Sequence, residues 1–332
     1  MFRVDDLILS LDNVKKYFPI KSRFLKRRIG WIKAVDGISF NVFREGVMGL
    51  VGESGCGKTT LAKTIMGMHQ PDEGKVIFKQ GVISKIHPEE ARKLRRQIQY
   101  VYQDSGASLD PWWTIERLLR EPLVIHTHLS DSEMDEKVLA ILEAVGMSEE
   151  HLNCYPHEFS GGQLRRLGLA RILTLNPELI IFDEPTAGLD VSVQAKILEL
   201  LENLKEAFRL TYIIISHNLS LIRIICHHTA VMYLGKIVEI GTTQRIFEDP
   251  KHPYTRILID SIPEPGRDRG NQRLLLQGEP PSLENIPPGC RFQNRCPFRK
   301  ERCEKEEPFL KEVAQDHMVS CHQWIHYQNQ AP

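Results

Sequence analysis

The stretch that decides the fold reads Gly52-Glu53-Ser54-Gly55-Cys56-Gly57-Lys58-Thr59-Thr60. An apolar run at residues 47–51 precedes it, and a segment with helical character follows from residue 61. A glycine-rich loop between a strand and a helix is the setting of a phosphate-binding loop, in which consecutive backbone N–H groups surround phosphate oxygens. The stretch therefore predicts a nucleoside triphosphate site, with a plain glycine turn before a helix as the alternative.

Two side chains of this loop would have specific roles in such a site. Lys58 would contact the β- and γ-phosphates, and the hydroxyl of Thr59 would ligate Mg²⁺. The positive end of the helix that follows adds its dipole to the attraction for an anion. We therefore expect the whole loop, residues 52–60, to bind the nucleotide.

Composition limits the class of protein. The chain has 332 residues, enough for two domains, and its 43 basic residues balance its 43 acidic ones. Such a balance gives no overall field that favours nucleic acid or an anionic membrane. The N-terminus lacks an apolar signal segment, and the longest apolar run, around residues 210–222, is shorter than the ~20 residues that span a bilayer. We therefore expect a cytoplasmic protein without a nucleic-acid partner, whose membrane role, if any, comes through partners.

Alternating apolar residues near the N-terminus predict an antiparallel hairpin. The two segments are residues 7–11 and 38–42, and a basic loop at 21–28 lies between them. A solvated loop is the favoured interpretation of the basic run, over contact with lipid or nucleic acid. Phe18 ends the first strand and is predicted to stack on the nucleotide base, with Tyr17 as the alternative.

The middle of the chain combines a short strand, a helical insert and a glycine-containing helix start. Residues 98–102 are strand-like and lead to Gln103 in a turn, and residues 114–150 have helical periodicity. Ser160-Gly161-Gly162-Gln163 then opens another helix, where Ser160 suits an N-cap and the glycines leave N–H groups for an anion. An ordinary capped helix is the alternative for this element.

Two apolar strands end in side chains suited to catalysis. Residues 179–182 are apolar without alternation, which indicates a parallel strand buried on both faces, and Asp183 and Glu184 follow at its end. Ligands bind open α/β sheets at this edge, so Asp183 is predicted to hold Mg²⁺ and Glu184 to accept a proton from the attacking water. Residues 211–216 form a second such strand and lead to His217, for which a γ-phosphate contact is favoured over a structural role.

In sequence order, these features resemble the motifs of the ATP-binding-cassette (ABC) ATPases. The resemblance rests on the phosphate loop, Gln103, residues 159–163, residues 179–185, residues 187–190 and His217. It implies an α/β fold with a P-loop NTPase (RecA-like) core, an antiparallel β subdomain and a helical subdomain at about 104–160. Residues 1–250 would form the nucleotide-binding domain, which uses ATP and Mg²⁺, and residues 251–332 a small irregular C-terminal region.

Further segments narrow the resemblance to the ATPase subunits of the oligopeptide, dipeptide and nickel importers. These are residues 155–158, 190–195, 232–239, 252–255 and 287–292. The branch implies a motor subunit that hydrolyses ATP for a separate pair of integral membrane permease subunits, fed by an extracellular substrate-binding protein. The chain would then lie peripherally on the inner face of the cell membrane, with di- or oligopeptides favoured as the cargo over nickel or sugar oligomers.

The resemblance also implies a head-to-tail dimer of two ATPase subunits that encloses two ATP molecules. Ser160, Gly161 and Gly162, with Gln163 beside them, would reach the γ-phosphate on the other subunit. Asp190 would lie across the interface, and Gln103 would contact Mg²⁺ or the lytic water. A second copy and a paralogous ATPase both remain open as the dimer partner. Residues 103–113 would touch the permease, where Trp112-Trp113 is either a docking patch or ordinary packing.

Cysteines crowd into the end of the chain, at Cys290, Cys296, Cys303 and Cys321. In a cytosolic chain such clustering favours metal over disulphides, although the spacing fits neither zinc modules nor ferredoxins. Unligated thiols, zinc helped by His317 or His322, and a [4Fe–4S] cluster remain open. The cluster is favoured because the importer branch that the chain resembles includes members with one.

A soluble ABC-type ATPase that acts on ribosomes or nucleic acid is the alternative function. The single uninterrupted cassette, the neutral charge and the importer-like C-terminal segments favour the transporter subunit over it.

Overall fold

The computed structural model describes residues 6–21, 28–84, 88–102, 109–262, 278–279 and 281–324. The chain forms two compact units. The first contains Met1–Phe43, Val47–Lys85 and Ile214–Pro332, and the second contains Arg44–Gly46 and Ile86–Ile213. The predicted domain boundary at residue 250 and the predicted helical subdomain at about 104–160 rest on the resemblance to the ABC ATPases. Both remain predictions.

Strands and helices are numbered in chain order. The strands are β1 (Leu7–Lys21), β2 (Arg28–Phe43), β3 (Val47–Val51), β4 (Glu73–Phe78), β5 (Gly81–Val82), β6 (Ile98–Val101), β7 (Leu179–Asp183), β8 (Thr211–Ser216), β9 (His228–Tyr233), β10 (Lys236–Thr242), β11 (Lys311–Ala314) and β12 (His317–Val319). The helices are α1 (Lys58–Ile65), α2 (Pro88–Gln97), α3 (Ile115–His126), α4 (Asp131–Ala144), α5 (Gly161–Leu173), α6 (Val191–Phe208), α7 (Leu219–Ile225), α8 (Thr243–Glu248), α9 (Pro253–Asp260) and α10 (Glu301–Lys305).

The N-terminal hairpin of the first unit confirms the predicted antiparallel pairing. β1 and β2 pair antiparallel and belong to a sheet in the order β2-β1-β4-β5. The alternating apolar residues of these strands face the core, as Leu9 and Leu11 of β1 do. The hairpin extends well beyond the predicted segments because residues on both sides of them continue the backbone pairing as far as Lys21.

The phosphate-loop strand belongs to a second sheet of the first unit. Within this unit the neighbouring strands run β11-β12-β10-β9-β3. β3 is parallel to β9, whereas β9 with β10 and β10 with β12 are antiparallel. The end of the chain therefore adds a hairpin to the sheet that leads into the glycine-rich loop.

The second unit combines a short parallel strand pair with a helical region. β6 and β7 pair parallel, and four of the five residues of β7 are buried, as the unbroken apolar run predicts. In the helical region α3 packs against α4 and α5. The helix starts are capped by hydroxyls, because Thr114, Ser130 and Ser160 each accept a hydrogen bond from the first turn. No helix among the described residues is long and apolar enough to cross a membrane.

A buried carboxylate on β10 joins three parts of the first unit. The Glu239 side chain is fully buried and accepts hydrogen bonds from the backbone N–H groups of Lys251 (2.6 Å) and His252 (2.8 Å). The ring of His317 on β12 donates a third bond from Nε2 at 2.7 Å. Burial lowers the pKa of His252 to about 3, so this second histidine is neutral. Glu239 thus fixes the start of α9 and the last strand to β10.

We predict that Glu239→Gln destabilises the chain by about 2–3 kcal/mol. The amide places an NH₂ group where a carboxylate oxygen now accepts a bond, so at least one buried donor loses its acceptor. Urea unfolding followed by tryptophan fluorescence measures the effect. The matched control Glu248→Gln changes a carboxylate at the exposed end of α8 and should leave the midpoint unchanged. Equal midpoints for the two variants would contradict this role.

Candidate active site

The glycine-rich loop is held tightly between its neighbours in the first unit. β3 is buried throughout and ends directly before Gly52, and Gly57 is the N-cap of α1 in the left-handed region, at φ +110°. A Cβ on Gly52 would lie 2.2 Å from the carbonyl oxygen of Met232, and one on Gly57 would lie 2.0 Å from that of Ala34. Backbone atoms cannot yield at such distances, so glycine is required at both positions for this loop to form.

The loop has the form of an anion cradle, with Lys58 inside it. The Lys58 ammonium donates to the carbonyl oxygens of Gly52 (2.7 Å) and Glu53 (2.9 Å). Ser54, Gly55 and Thr59 are exposed on the loop and at the start of α1. The structure therefore presents an open helix N-terminus and a cation with three donors, which are the elements that hold a phosphate group.

Two predicted nucleotide contacts lie in the same unit as the loop. Phe18 on β1 is half-buried, and its ring meets that of His69 edge-on at 5.4 Å. The Tyr17 hydroxyl donates a hydrogen bond to Asp36. Burial and this hydrogen bond both raise the pKa of Tyr17. Since Tyr17 is committed to that bond, Phe18 stays the predicted base-stacking residue. His217 follows β8 and is exposed, as a γ-phosphate contact requires.

The predicted magnesium ligand and catalytic base lie in the second unit, at the end of β7. Asp183 accepts a 2.5 Å hydrogen bond from the Tyr100 hydroxyl on β6. Burial raises the pKa of Tyr100, and this hydrogen bond raises it as well. Glu184 has a φ of +55°, in the left-handed region that non-glycine residues rarely adopt. Such strain costs ~1–3 kcal/mol and is typical of residues that the surrounding structure positions for chemistry.

A side chain from α5 fixes the turn after Glu184. Arg165 donates to the carbonyl oxygens of Pro185 (2.8 Å) and Ala187 (2.7 Å). Neither this contact nor the one from Tyr100 was predicted, because an arginine on a helix and a tyrosine on a strand carry no distinguishing sequence signal.

The helix start at residues 160–163 confirms the predicted N-cap. The Ser160 Oγ accepts from the Gln163 backbone, and the Gln163 Oε1 accepts from the Ser160 backbone at 3.0 Å and from its hydroxyl at 2.9 Å. Gly161 is exposed, with nothing within 4 Å of a built Cβ. The first turn of α5 therefore presents backbone N–H groups to its surroundings. Asp190 is exposed at the start of α6, and Gln103 lies outside the described residues.

Family patterns and relatives agree with this set of elements. The pattern described as "ABC transporter" matches residues 35–187, and the one described as "Oligopeptide/dipeptide transporter, C-terminal region" matches residues 238–303. The "Oligopeptide transport ATP-binding protein AppF" of Bacillus subtilis is 47% identical over 96% of this chain and 97% of its own length. The chain belongs to the ABC transporter ATP-binding subunits, in the branch that carries this C-terminal region. It is therefore an ABC ATPase.

Other relatives of this ABC ATPase extend the comparison. The "Dipeptide transport ATP-binding protein DppF" of Escherichia coli is 42% identical, covering 95% of this chain and 93% of the relative. Among solved structures, cbiO1 from Clostridium perfringens is similar with a TM-score of 0.64 at 26% identity, over 74% of this chain and 92% of the other. The cassette MJ0796 bound to ADP and Pi gives a TM-score of 0.62 at 26% identity, over 71% and 99%. The expected fold class is thus confirmed.

The C-terminal region of the ABC ATPase contacts the phosphate loop. The Tyr254 hydroxyl accepts from the Glu53 backbone N–H at 2.9 Å, and Arg295 donates to the Glu53 carboxylate at 2.6 and 3.0 Å. A second arginine, Arg291, donates to Asp36. None of these three contacts was predicted, since contacts between residues more than 200 positions apart leave no local pattern in the sequence.

Of the four C-terminal cysteines, Cys303 and Cys321 are buried, whereas Cys290 and Cys296 are half-buried. Burial, with a smaller contribution from neighbouring cysteines, raises the pKa of Cys290 to about 11 and those of Cys296 and Cys321 to about 12. Among the described residues, however, no group of three or more Cys, His, Asp or Glu side chains is arranged to hold a metal ion. The Nε2 atoms of His317 and His322 bond to Glu239 and to the Glu306 carbonyl instead. As placed, these residues do not form the predicted metal site.

We predict that Gly57→Ala abolishes tight ATP binding, lowering the affinity at least ~100-fold, because the added methyl overlaps the Ala34 carbonyl and forces the loop apart. Binding of a fluorescent ATP analogue measures the effect. Gly67→Ala is the matched control, since Gly67 also has positive φ, at +69°, but nothing lies within 4 Å of a built Cβ. Similar affinities for both variants would show that the close approach at Gly57 is dispensable.

Proposed function

We propose that this chain is the ATP-hydrolysing motor subunit of an importer of di- or oligopeptides. It would work with a second ATPase subunit and two integral membrane permease subunits, with an extracellular binding protein supplying the cargo. The observation that carries the proposal is the match of residues 238–303 to the oligopeptide/dipeptide transporter C-terminal region, in the same chain as a complete phosphate loop. The names of the relatives, for oligopeptide and dipeptide transport, support the cargo.

ATP would bind with its phosphates on the loop formed by residues 52–60. The Lys58 ammonium, which donates hydrogen bonds to two loop carbonyls in this structure, would instead contact the β- and γ-phosphates. Phe18 would stack on the base. Thr59, Gln103 and Asp183 are the residues that would hold Mg²⁺, which neutralises phosphate charge when bound. The bond from Tyr100 supports the role of Asp183, because it fixes the orientation of this carboxylate at the end of β7.

Hydrolysis would depend on positioning rather than on covalent chemistry. The strained backbone of Glu184 supports its role as general base, which accepts the proton of the attacking water. His217, exposed after β8, would contact the γ-phosphate, and Gln103 would orient the water.

A second subunit would complete the set of groups that stabilise the γ-phosphate charge. The N–H groups at Ser160, Gly161 and Gly162 are presented at the start of α5, where an anion gains from the helix dipole. In a head-to-tail dimer they would reach the triphosphate on the partner's loop, with Asp190 across the interface. Either a second copy or a paralogous subunit would serve as this partner.

A groove in the second unit is the proposed docking site for the permease. It has a volume of about 390 Å³ and includes Tyr102, which directly precedes Gln103, together with Ile125 and Arg171. Nearby in sequence, Trp112 is 86% exposed, whereas Trp113 lies under the Arg117 guanidinium at 3.7 Å. This favours docking by Trp112 and packing by Trp113. Such docking would hold the chain peripherally on the inner face of the cell membrane.

The test is peptide uptake by the complete importer in proteoliposomes. We expect ATP-dependent uptake of a radiolabelled di- or oligopeptide, and no uptake with Glu184→Gln, which should bind ATP normally but turn over ~10²–10⁴-fold more slowly. The control variant is Glu312→Gln, which changes an exposed carboxylate. Arg165→Lys would not be a suitable control, because Arg165 contacts the turn after Glu184. ATP-dependent uptake of nickel or sugar oligomers alone would overturn the peptide assignment, and wild-type turnover of Glu184→Gln would overturn the general base.

A [4Fe–4S] cluster at Cys290, Cys296, Cys303 and Cys321 is a separate proposal. It rests on the clustering of the cysteines and on the match of residues 238–303 to the importer C-terminal region, and it requires a thiol arrangement that the described residues do not show. No step of hydrolysis passes through it. Anaerobically purified protein should contain four iron and four sulphide ions per chain by this proposal, and stoichiometric zinc or metal-free thiols would contradict it.

A further inference from the structure

The second residue of the phosphate loop is held at two points by the C-terminal region. The Glu53 backbone N–H donates to the Tyr254 hydroxyl at 2.9 Å. Its carboxylate receives two parallel bonds from Arg295, at 2.6 Å from Nη1 and 3.0 Å from Nη2. Only 5% of the arginine side chain and 23% of the glutamate side chain are exposed. A bidentate pair of this kind is stronger and more directional than a single neutral hydrogen bond.

The arginine is itself presented by a rigid aromatic cluster. The Phe292 ring packs at 5.3 Å against both Tyr233 and Tyr254, and the backbone N–H of Arg295 donates to the Phe292 carbonyl at 3.0 Å. The guanidinium lies 6.0 Å from the Tyr233 ring. Because all three rings are almost fully buried, the guanidinium has little freedom to leave Glu53.

The position of Glu53 creates an electrostatic difficulty for a loop that binds a triphosphate. Its carboxylate belongs to the loop whose next residues, Ser54 and Gly55, are exposed at the cradle. A negative charge there repels phosphate, and in a partly buried setting solvent screens that repulsion weakly. The Arg295 guanidinium stays charged at all physiological pH values and cancels the glutamate charge.

We propose that Arg295 is a positioning residue for ATP hydrolysis, which acts through Glu53 to neutralise and orient the phosphate loop. It does not touch the nucleotide. The C-terminal region thereby strengthens the binding of a triphosphate by the loop. This inference rests on the proposed ATP hydrolysis at the loop.

The test separates charge neutralisation from simple structural support. Arg295→Gln should raise the KM for ATP about tenfold and leave kcat within about twofold, because an uncompensated carboxylate weakens nucleotide binding rather than the chemical step. Removing both charges, in Glu53→Gln with Arg295→Gln, should return KM to within about threefold of wild type. Arg295→Lys keeps the charge but loses the second parallel bond, so its KM should lie closer to that of wild type than to that of Arg295→Gln.

Controls make each outcome decisive. Arg299→Gln removes a more exposed arginine, paired with Glu304, from the same segment and should leave both constants unchanged. Two results would overturn the proposal in favour of a structural role. One is a KM for the double variant as high as that of Arg295→Gln, and the other is an equally high KM for Arg295→Lys.

Folding is checked by thermal unfolding of each variant. If Arg295→Gln does not fold, the double variant and Arg295→Lys decide the question by their KM values. Failure of the proposed function is distinguishable, because wild type and Arg299→Gln would then both lack ATP hydrolysis. Normal hydrolysis in those two, with an unchanged KM in Arg295→Gln, would overturn the inference alone.

Discussion

The close approach of the phosphate loop to its neighbours is the constraint on which the rest depends. Two glycines of the loop, Gly52 and Gly57, have Cα atoms that face the backbone carbonyls of Met232 and Ala34, with no room for a methyl group. A backbone held in this way keeps its N–H groups in a fixed arrangement without a bound ligand. Electrostatic preorganisation of this kind is the main source of catalysis in phosphoryl transfer, where little covalent chemistry is required.

Residues far along the chain complete that constraint within the first unit. Tyr254 and Arg295 both hold Glu53, and the buried carboxylate of Glu239 fixes the start of the helix that carries Tyr254. The second unit is organised by a comparable principle. There Tyr100 and Arg165 fix the end of β7 and the turn after it, around a Glu184 with strained backbone. In both units, residues without catalytic chemistry of their own position those expected to carry it.

Local sequence predicts the motif-bearing elements well, because their chemistry lies within a few consecutive residues. The loop at 52–60, the buried strand ending at Asp183 and the capped helix at Ser160 follow from glycine spacing, apolar runs and capping preferences. Side-chain pairs across the fold do not, since Glu53 and Arg295 meet only after the chain has folded. The cysteine spacing likewise left several metal states open, and thiol placement does not reduce them to one.

The measurement that tests the account most directly is ATP turnover per molecule as a function of protein concentration, with the oligomeric state followed by light scattering. The account predicts that turnover per molecule falls towards zero as dimers dissociate on dilution, and that Gly161→Asp, which places a negative charge at the start of α5, abolishes it. Constant turnover by strictly monomeric protein, undiminished in that variant, would contradict the claim that a second subunit completes the site.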